Sequence, residues 1–317
     1  MDEQGEKPIR TRRLLRYSDP MAPEIHRQRR ARLAQALRDA GGGVAIVPTA
    51  PERRRNADND HPYRFDSHFH YLTGFAEPEG WLVIDGAGRS LLFCREKDVQ
   101  REIWDGIRLG PEAAPAALGV DAAFPVSALD EQLPQLLADQ GAVWLTMDAE
   151  AELHARLRGW LERVRGHARL GVACPGSLHD LTPLLAEMRL VKDSHEIATM
   201  RRACAISAGA HARAMRYSGA RFRADAQARV REYEIEAELL HEFRRHGAQS
   251  PAYTSIVAAG ANACILHYAA GDAELRAGEL CLIDAGCELD GYAADVTRTF
   301  PANGRFSGPQ RALYDIV

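Results

Sequence analysis

Two aspartates, Asp284 and Asp295, stand inside runs that otherwise read as β-strand, LIDAGCELDGYAADVTRTFP over residues 282–301. If Asp290-Gly291 is a two-residue hairpin turn, residue 289 pairs with 292, 286 with 295 and 284 with 297. Opposed residues share a face. The two carboxylates are then diagonal neighbours about 7 Å apart at Cβ, with Gly286 leaving room between them. Cys281 and Cys287 have the opposite parity and point away. Ionised carboxylates flanked by Leu282, Ile283, Ala285 and Val296 would lose several kcal/mol each to desolvation, and would repel each other. A pair of divalent cations about 3.5–4 Å apart removes both penalties and supplies a two-metal hydrolytic centre. The same aspartates could instead bond neighbouring backbone or pair with Arg298.

Two other stretches imitate metal sites. HEFRRH, from His241 to His246, resembles a zinc-protease helix, but its histidines are five apart, turned by about 140° around a helix and unable to share an ion. DSHFHY puts His68 and His70 on one face of an expected strand, yet neither His61 nor Asp66 completes a recognised spacing, so two partly exposed histidines are the expectation.

The elements that would position the carboxylates follow from caps and punctuation. PEIHRQRRARLAQALRDAGGG predicts a helix with Pro23 in its first turn and Gly41 to Gly43 at its end. The strand VAIVPTA follows, then a polar loop, then WLVID and SLLFC joined as a hairpin by Gly86-Ala87-Gly88. LDEQLPQLLADQ, AVWLTM and AELHARLRGWLERV continue an α/β alternation. VACPGSLHDLTP marks a boundary. Beyond it, Asp193 and Glu196 form a capping pattern for a long helix, and YEIEAELLHEFRRHG predicts another that stops at Gly247. RFRADAQARVRE between them reads as a charged surface insertion. SIVAAG, ACILHY and the hairpin around Asp290-Gly291 read as strands.

With 317 residues, 46% hydrophobic and 26% charged, the chain can bury the cores of two domains. It has no apolar run long enough for a membrane span and no leader-like h-region, so the cytoplasm is the default. Six scattered cysteines (Cys94, Cys174, Cys204, Cys264, Cys281, Cys287) argue for free thiols rather than a zinc ribbon or disulfides. The net charge of −4 gives no pull toward nucleic acid. Arginines at 10, 12, 13, 16, 27, 29, 30 and 32 read as a tail plus the solvated face of a helix rather than as a nucleic-acid arm.

YTSIVAAGANACILHY followed by LCLIDAGCELDGYAADVTRTFP resembles the catalytic domain of the Xaa-Pro aminopeptidases (aminopeptidase P), a family of pita-bread-fold metallopeptidases. MRLVKDSHEI, YLTGFAEPEGWLVI and EIWDGIRLG extend the likeness to nearly everything from residue 24 onward. The resemblance implies an α/β (α+β) chain: a tail over 1–23, a creatinase/aminopeptidase-P-like N-terminal α/β domain over 24–178, and part of a pita-bread catalytic domain over 179–317. It further implies that Asp284 and Asp295 chelate and bridge two metal ions, usually manganese (Mn2+). His267 would be catalytic, holding substrate or its tetrahedral intermediate, and Tyr253 would line the same pocket. The implied reaction is hydrolysis of the bond before a proline at the second position of a peptide, by metal-hydroxide attack. A full-length homo-oligomer belongs to the same expectation, with no nucleic-acid or membrane partner. A prolidase-type dipeptidase and a non-catalytic peptide-binding pita-bread domain share the fold. The family centre also needs one histidine and two glutamates, and none follows Asp295 here. The chain therefore reads as a fragment, inactive by itself and prone to aggregate.

Overall fold

The computed structural model describes residues 22–147 and 151–317. Most of the tail expected over 1–23, with Arg10, Arg12, Arg13 and Arg16, lies outside the described residues, and Ala22 and Pro23 already belong to the first helix. The chain divides after Val191 into two compact units.

The first unit opens with α1 (Ala22–Asp39), ended by Gly41, Gly42 and Gly43 at positive φ. It continues through β1 (Val44–Pro48), the short ribbon β2 (Arg54–Asn56) and β3 (Asn59–Asp60), α2 (Ser67–Thr73), β4 (Trp81–Ile84), β5 (Ser90–Cys94), α3 (Val99–Asp105), α4 (Ala114–Leu118), β6 (Ala122–Pro125), α5 (Leu129–Leu137), β7 (Ala142–Leu145), α6 (Ala151–Gly166), β8 (Ser177–Asp180) and α7 (Thr182–Leu190). Six strands form one sheet in the order β6-β5-β4-β1-β7-β8. The pairs β1–β4 and β4–β5 are antiparallel, and the other three are parallel. Alternation along β1 builds a core on each face. Val44 and Ile46 join Leu133, Leu157 and Trp160 of α5 and α6, while Ala45 and Val47 join Leu33 and Leu37 of α1. Leu185 and Met188 of α7 belong to the same core as α1, which carries the first unit past the boundary expected at residue 178.

Two expectations for this unit are corrected. DSHFHY is helix α2, not a strand: the Asp66 side chain accepts from Phe69 N at 2.7 Å, and Gly74, left-handed, donates its N–H back to His70 O. His68 and His70 are therefore about 200° apart around a helix and share no face. His68 sits 3.1 Å from the Arg189 guanidinium and His70 stacks on Phe65. Nor do all the arginines of α1 face water, since Arg29 and Arg30 are buried. Arg30 donates to Leu72 O, Leu118 O and Gly119 O, closing the carboxyl ends of α2 and α4, and Arg29 donates to Tyr71 O.

The second unit begins with α8 (Ser194–Ala224), opened by the reciprocal capping box of Asp193 and Glu196. It continues with β9 (Val230–Arg231), α9 (Glu232–Arg245), β10 (Ser250–Pro251), β11 (Ile256–Ala259), β12 (Glu274–Leu275), β13 (Leu280–Asp284), β14 (Cys287–Leu289), β15 (Tyr292–Ala293), β16 (Thr297–Pro301) and α10 (Gly308–Tyr314). Its three-stranded sheets run β11-β13-β16 and β10-β14-β15, and β9 pairs with β12. One core joins Ala210 and Ala214 of α8, Ile235, Leu239 and Phe243 of α9, and Cys281, Ile283 and Cys287 of the hairpin. The stretch RFRADAQARVRE is thus not a plain insertion. Its first residues complete α8, and Val230 is a fully buried strand residue.

Candidate metal centre

The arm from Leu280 to Leu289 and its return from Tyr292 to Pro301 keep one register throughout. Leu289 pairs with Tyr292, Asp284 with Thr297 and Leu280 with Pro301. Asp290 and Gly291, both at positive φ, make the turn, the conformation a two-residue hairpin demands. Midway the two arms pass from one sheet to the other, and there Gly286 is obligatory. A Cβ on it would lie 1.7 Å from Ala294 O and 2.3 Å from Ala294 C.

Parity decides which side chains meet. Cys281, Ile283 and Cys287 face the helices and are buried, whereas Leu280, Leu282 and Asp284 point to the other face and are only half-buried. Burial pushes the Cys281 thiol up to about 12, as suits a core residue rather than a metal-binding thiolate. Asp284 and Asp295 converge on one atom: the Tyr253 hydroxyl lies 2.6 Å from Asp284 Oδ1 and 3.1 Å from Asp295 Oδ1. Burial, reinforced by the two carboxylates, drives the Tyr253 phenol well above its ordinary range and keeps it a protonated donor. Arg298 is not their partner, since it donates to Thr297 O. The expected deep burial is also corrected, because Asp284 is half-buried and Asp295 exposed. Water therefore relieves part of the desolvation cost that their apolar neighbours in sequence suggested.

Three oxygens, two from carboxylates and one from a phenol, face one another on an open sheet face. Such hard donors suit Mg2+, Ca2+ or Mn2+. Among the described residues no group of three His, Cys, Asp or Glu side chains could hold a metal ion.

His267 lies on the segment that follows β11. ACILHY is not a strand: Gly260–Cys264 is a 3-10 turn, and Ile265 to His267 continue in an exposed turn. Among the described residues no hydrogen bond or ion pair links His267 with Asp284 or Asp295. HEFRRH lies at the end of α9, where His246 pairs with Glu242 at 2.9 Å.

Two buried polar residues carry this framework without any sequence signal to single them out. His211 of α8 donates from Nε2 to Ala285 O at 2.9 Å, pinning the backbone beside Asp284. Burial lowers its pKa, and its Nδ1 is buried with no partner among the described residues, as fits a neutral ring. Glu232, at the start of α9, is fully buried. Both make contacts with residues far away in the chain, which no local pattern encodes.

The model of the aminopeptidase P N-terminal domain matches residues 26–144, and that of metallopeptidase family M24 matches residues 198–317. A Xaa-Pro aminopeptidase of Escherichia coli is 45% identical over 300 residues, covering 93% of this chain and 66% of the relative. The structure of proline aminopeptidase P II from Yersinia pestis superposes with a TM-score of 0.85 at 46% identity, over 94% of this chain and 67% of that one. Zinc-substituted E. coli aminopeptidase P in complex with product gives 0.85 at 44%, over 93% and 66%. The chain thus spans about two thirds of the length of the relatives it matches.

Proposed function

Since the chain belongs to the aminopeptidase P family of metallopeptidases, with its N-terminal domain and pita-bread M24 domain, we propose that it is the larger part of a metal-dependent aminopeptidase. The reaction is removal of the first residue from peptides with proline at the second position. The observation that carries this reading is the convergence of Asp284 and Asp295 on the single Tyr253 hydroxyl across a register-locked hairpin.

Asp284 and Asp295 would hold two divalent ions, manganese by preference, and the ions would supply an activated water and an electrophile for the scissile carbonyl. The chain's own residues set the stage for that. Gly286 and the His211 bond to Ala285 fix the spacing of the two carboxylates. Tyr253 holds a proton between them and would pass its hydrogen bond to substrate or solvent once a cation occupies the carboxylates. His267, exposed on its turn, is free to meet a peptide and to donate to the oxyanion. On this reading the remaining ligands and the general base would come from the part of the relatives' length that this chain does not match. Six free cysteines fit a cytoplasmic setting, and assembly into a homo-oligomer is part of the same reading.

The test is cleavage of an Xaa-Pro-Xaa peptide with added Mn2+. Residues 1 to 317 alone should release no measurable N-terminal residue, and a chain carrying the relatives' full length should. In the longer chain His267→Ala should lower turnover by about 10²–10³-fold with its metal content nearly unchanged. Cleavage of Xaa-Pro dipeptides alone would make the enzyme a dipeptidase, and no cleavage by the longer chain would make the fold a binding domain.

A further inference from the structure

The segment that presents His267 has little core of its own. Between Ala259 and Gly271 it makes a 3-10 turn, and Ile265 and Leu266 are 54% and 88% exposed. Apolar packing at its tip therefore cannot fix where His267 stands. One buried carboxylate does so instead. Glu232 Oε1 accepts from Ala259 N at 2.8 Å and from Asn262 Nδ2 at 2.9 Å, and its Oε2 accepts from the Tyr268 hydroxyl at 2.8 Å and from Gly271 N at 3.0 Å. The four donors flank His267 on both sides, and two of them are the backbone amides at the ends of the segment. The Tyr268 hydroxyl also accepts from Asn262 Nδ2 at 3.0 Å, which ties the two side-chain donors to each other.

Glu232 has no ion pair among the described residues, although Arg231 beside it pairs with Glu274. A buried carboxylate satisfied only by neutral donors is costly unless each oxygen is fully used. An apolar residue would fill the same volume without that cost, so packing alone does not account for a glutamate here. What the carboxylate does that an apolar residue cannot is hold four specified donors in one place. The segment it holds follows β11 directly, and β11 pairs with β13 so that Ile256 lies opposite Asp284.

We infer that Glu232 is a positioning residue for His267: it locks the 259–271 segment to the start of α9 and so sets the histidine's place relative to the strand that carries Asp284. This rests on the reading of His267 as the group that meets the substrate. The loop-locking itself does not.

The experiment is amide hydrogen exchange on the 317-residue chain, comparing wild type with Glu232→Gln, an isostere that turns one acceptor into a donor facing other donors. Peptides covering 260–271 should exchange at least about tenfold faster, with α8 and β13 unchanged. Unchanged loop rates, or an equal rise throughout the second unit, would overturn the inference, the latter by showing plain loss of stability. Should Glu232→Gln fail to fold, the double variant Asn262→Ala with Tyr268→Phe, which leaves the carboxylate its two backbone donors, must loosen the same peptides or the inference is lost. Kinetics in the longer chain separate the two readings. If His267→Ala leaves turnover intact, the role of His267 is wrong, whatever the exchange rates. If His267→Ala lowers kcat while Glu232→Gln loosens the loop without lowering kcat, with metal content equal, Glu232 does not position the histidine.

Discussion

Two kinds of carboxylate stand within one unit of this protein. Glu232 is fully buried and both its oxygens are used, by four donors. Asp284 and Asp295 stand half-buried and exposed, and among the described residues the hydrogen bonds they accept come down to one shared tyrosine hydroxyl. A carboxylate saturated by its own chain has nothing left to offer a ligand. A pair left short of donors, held at fixed spacing by a hairpin, keeps its charge available for a cation. On the proposed reading, under-satisfaction at an accessible place, more than burial, is what sets the metal-holding pair apart from Glu232.

That contrast can be broken in four ways, the largest effect first. Asp284→Asn in the longer chain should weaken Mn2+ binding at least about a hundredfold in a calorimetric titration, since losing even a group behind the ligands costs 10–100-fold. Retained affinity would remove the distinction between the two carboxylate types. Next, Gly286→Ala must push the arms apart at Ala294, and should cost about 1–3 kcal/mol or more in urea unfolding. A midpoint equal to wild type would mean that the strands are not locked at this crossing.

A smaller effect concerns the buried bracket behind the hairpin. Burial lowers the His211 pKa below its ordinary 6.5, so the folded chain holds the ring neutral while the unfolded chain takes up the proton. The contribution is therefore complete above about pH 6.5 and shrinks as the pH falls below it. Thermal unfolding between pH 7.5 and 5.5 should fall more steeply in wild type than in His211→Gln, and parallel curves would show that the ring does not titrate on unfolding. The smallest effect belongs to Tyr253→Phe. On a face open to water the shared hydroxyl should contribute no more than about 1 kcal/mol to stability. A loss of several would mean that the carboxylates depend on it as Glu232 depends on its donors.

Much of this architecture was legible in the chain alone, wherever a few neighbouring residues decide the outcome. Asp290-Gly291 demands a left-handed two-residue turn, and the strand pleat then propagates one register from Leu289–Tyr292 out to Leu280–Pro301, which carries Asp284 and Asp295 to one face. The capping box at Asp193/Glu196 starts a helix for an equally local reason. Short apolar runs were the local failures. HFHYLTGF and ACILHY alternate like strands, but the Asp66 cap with Gly74 closes the first into helix α2, and the second is taken up by the 3-10 turn Gly260–Cys264 and the exposed turn after it. The tertiary structure alone decided the buried polar groups. Arg30 meets carbonyls 42 to 89 residues away, His211 a carbonyl 74 away, and Glu232 donors 27 to 39 away. Whether such a group is ruinous or structural depends on which distant donors and acceptors the fold brings to it, because a buried charge or imidazole is stabilised by its partners and not by its neighbours in sequence.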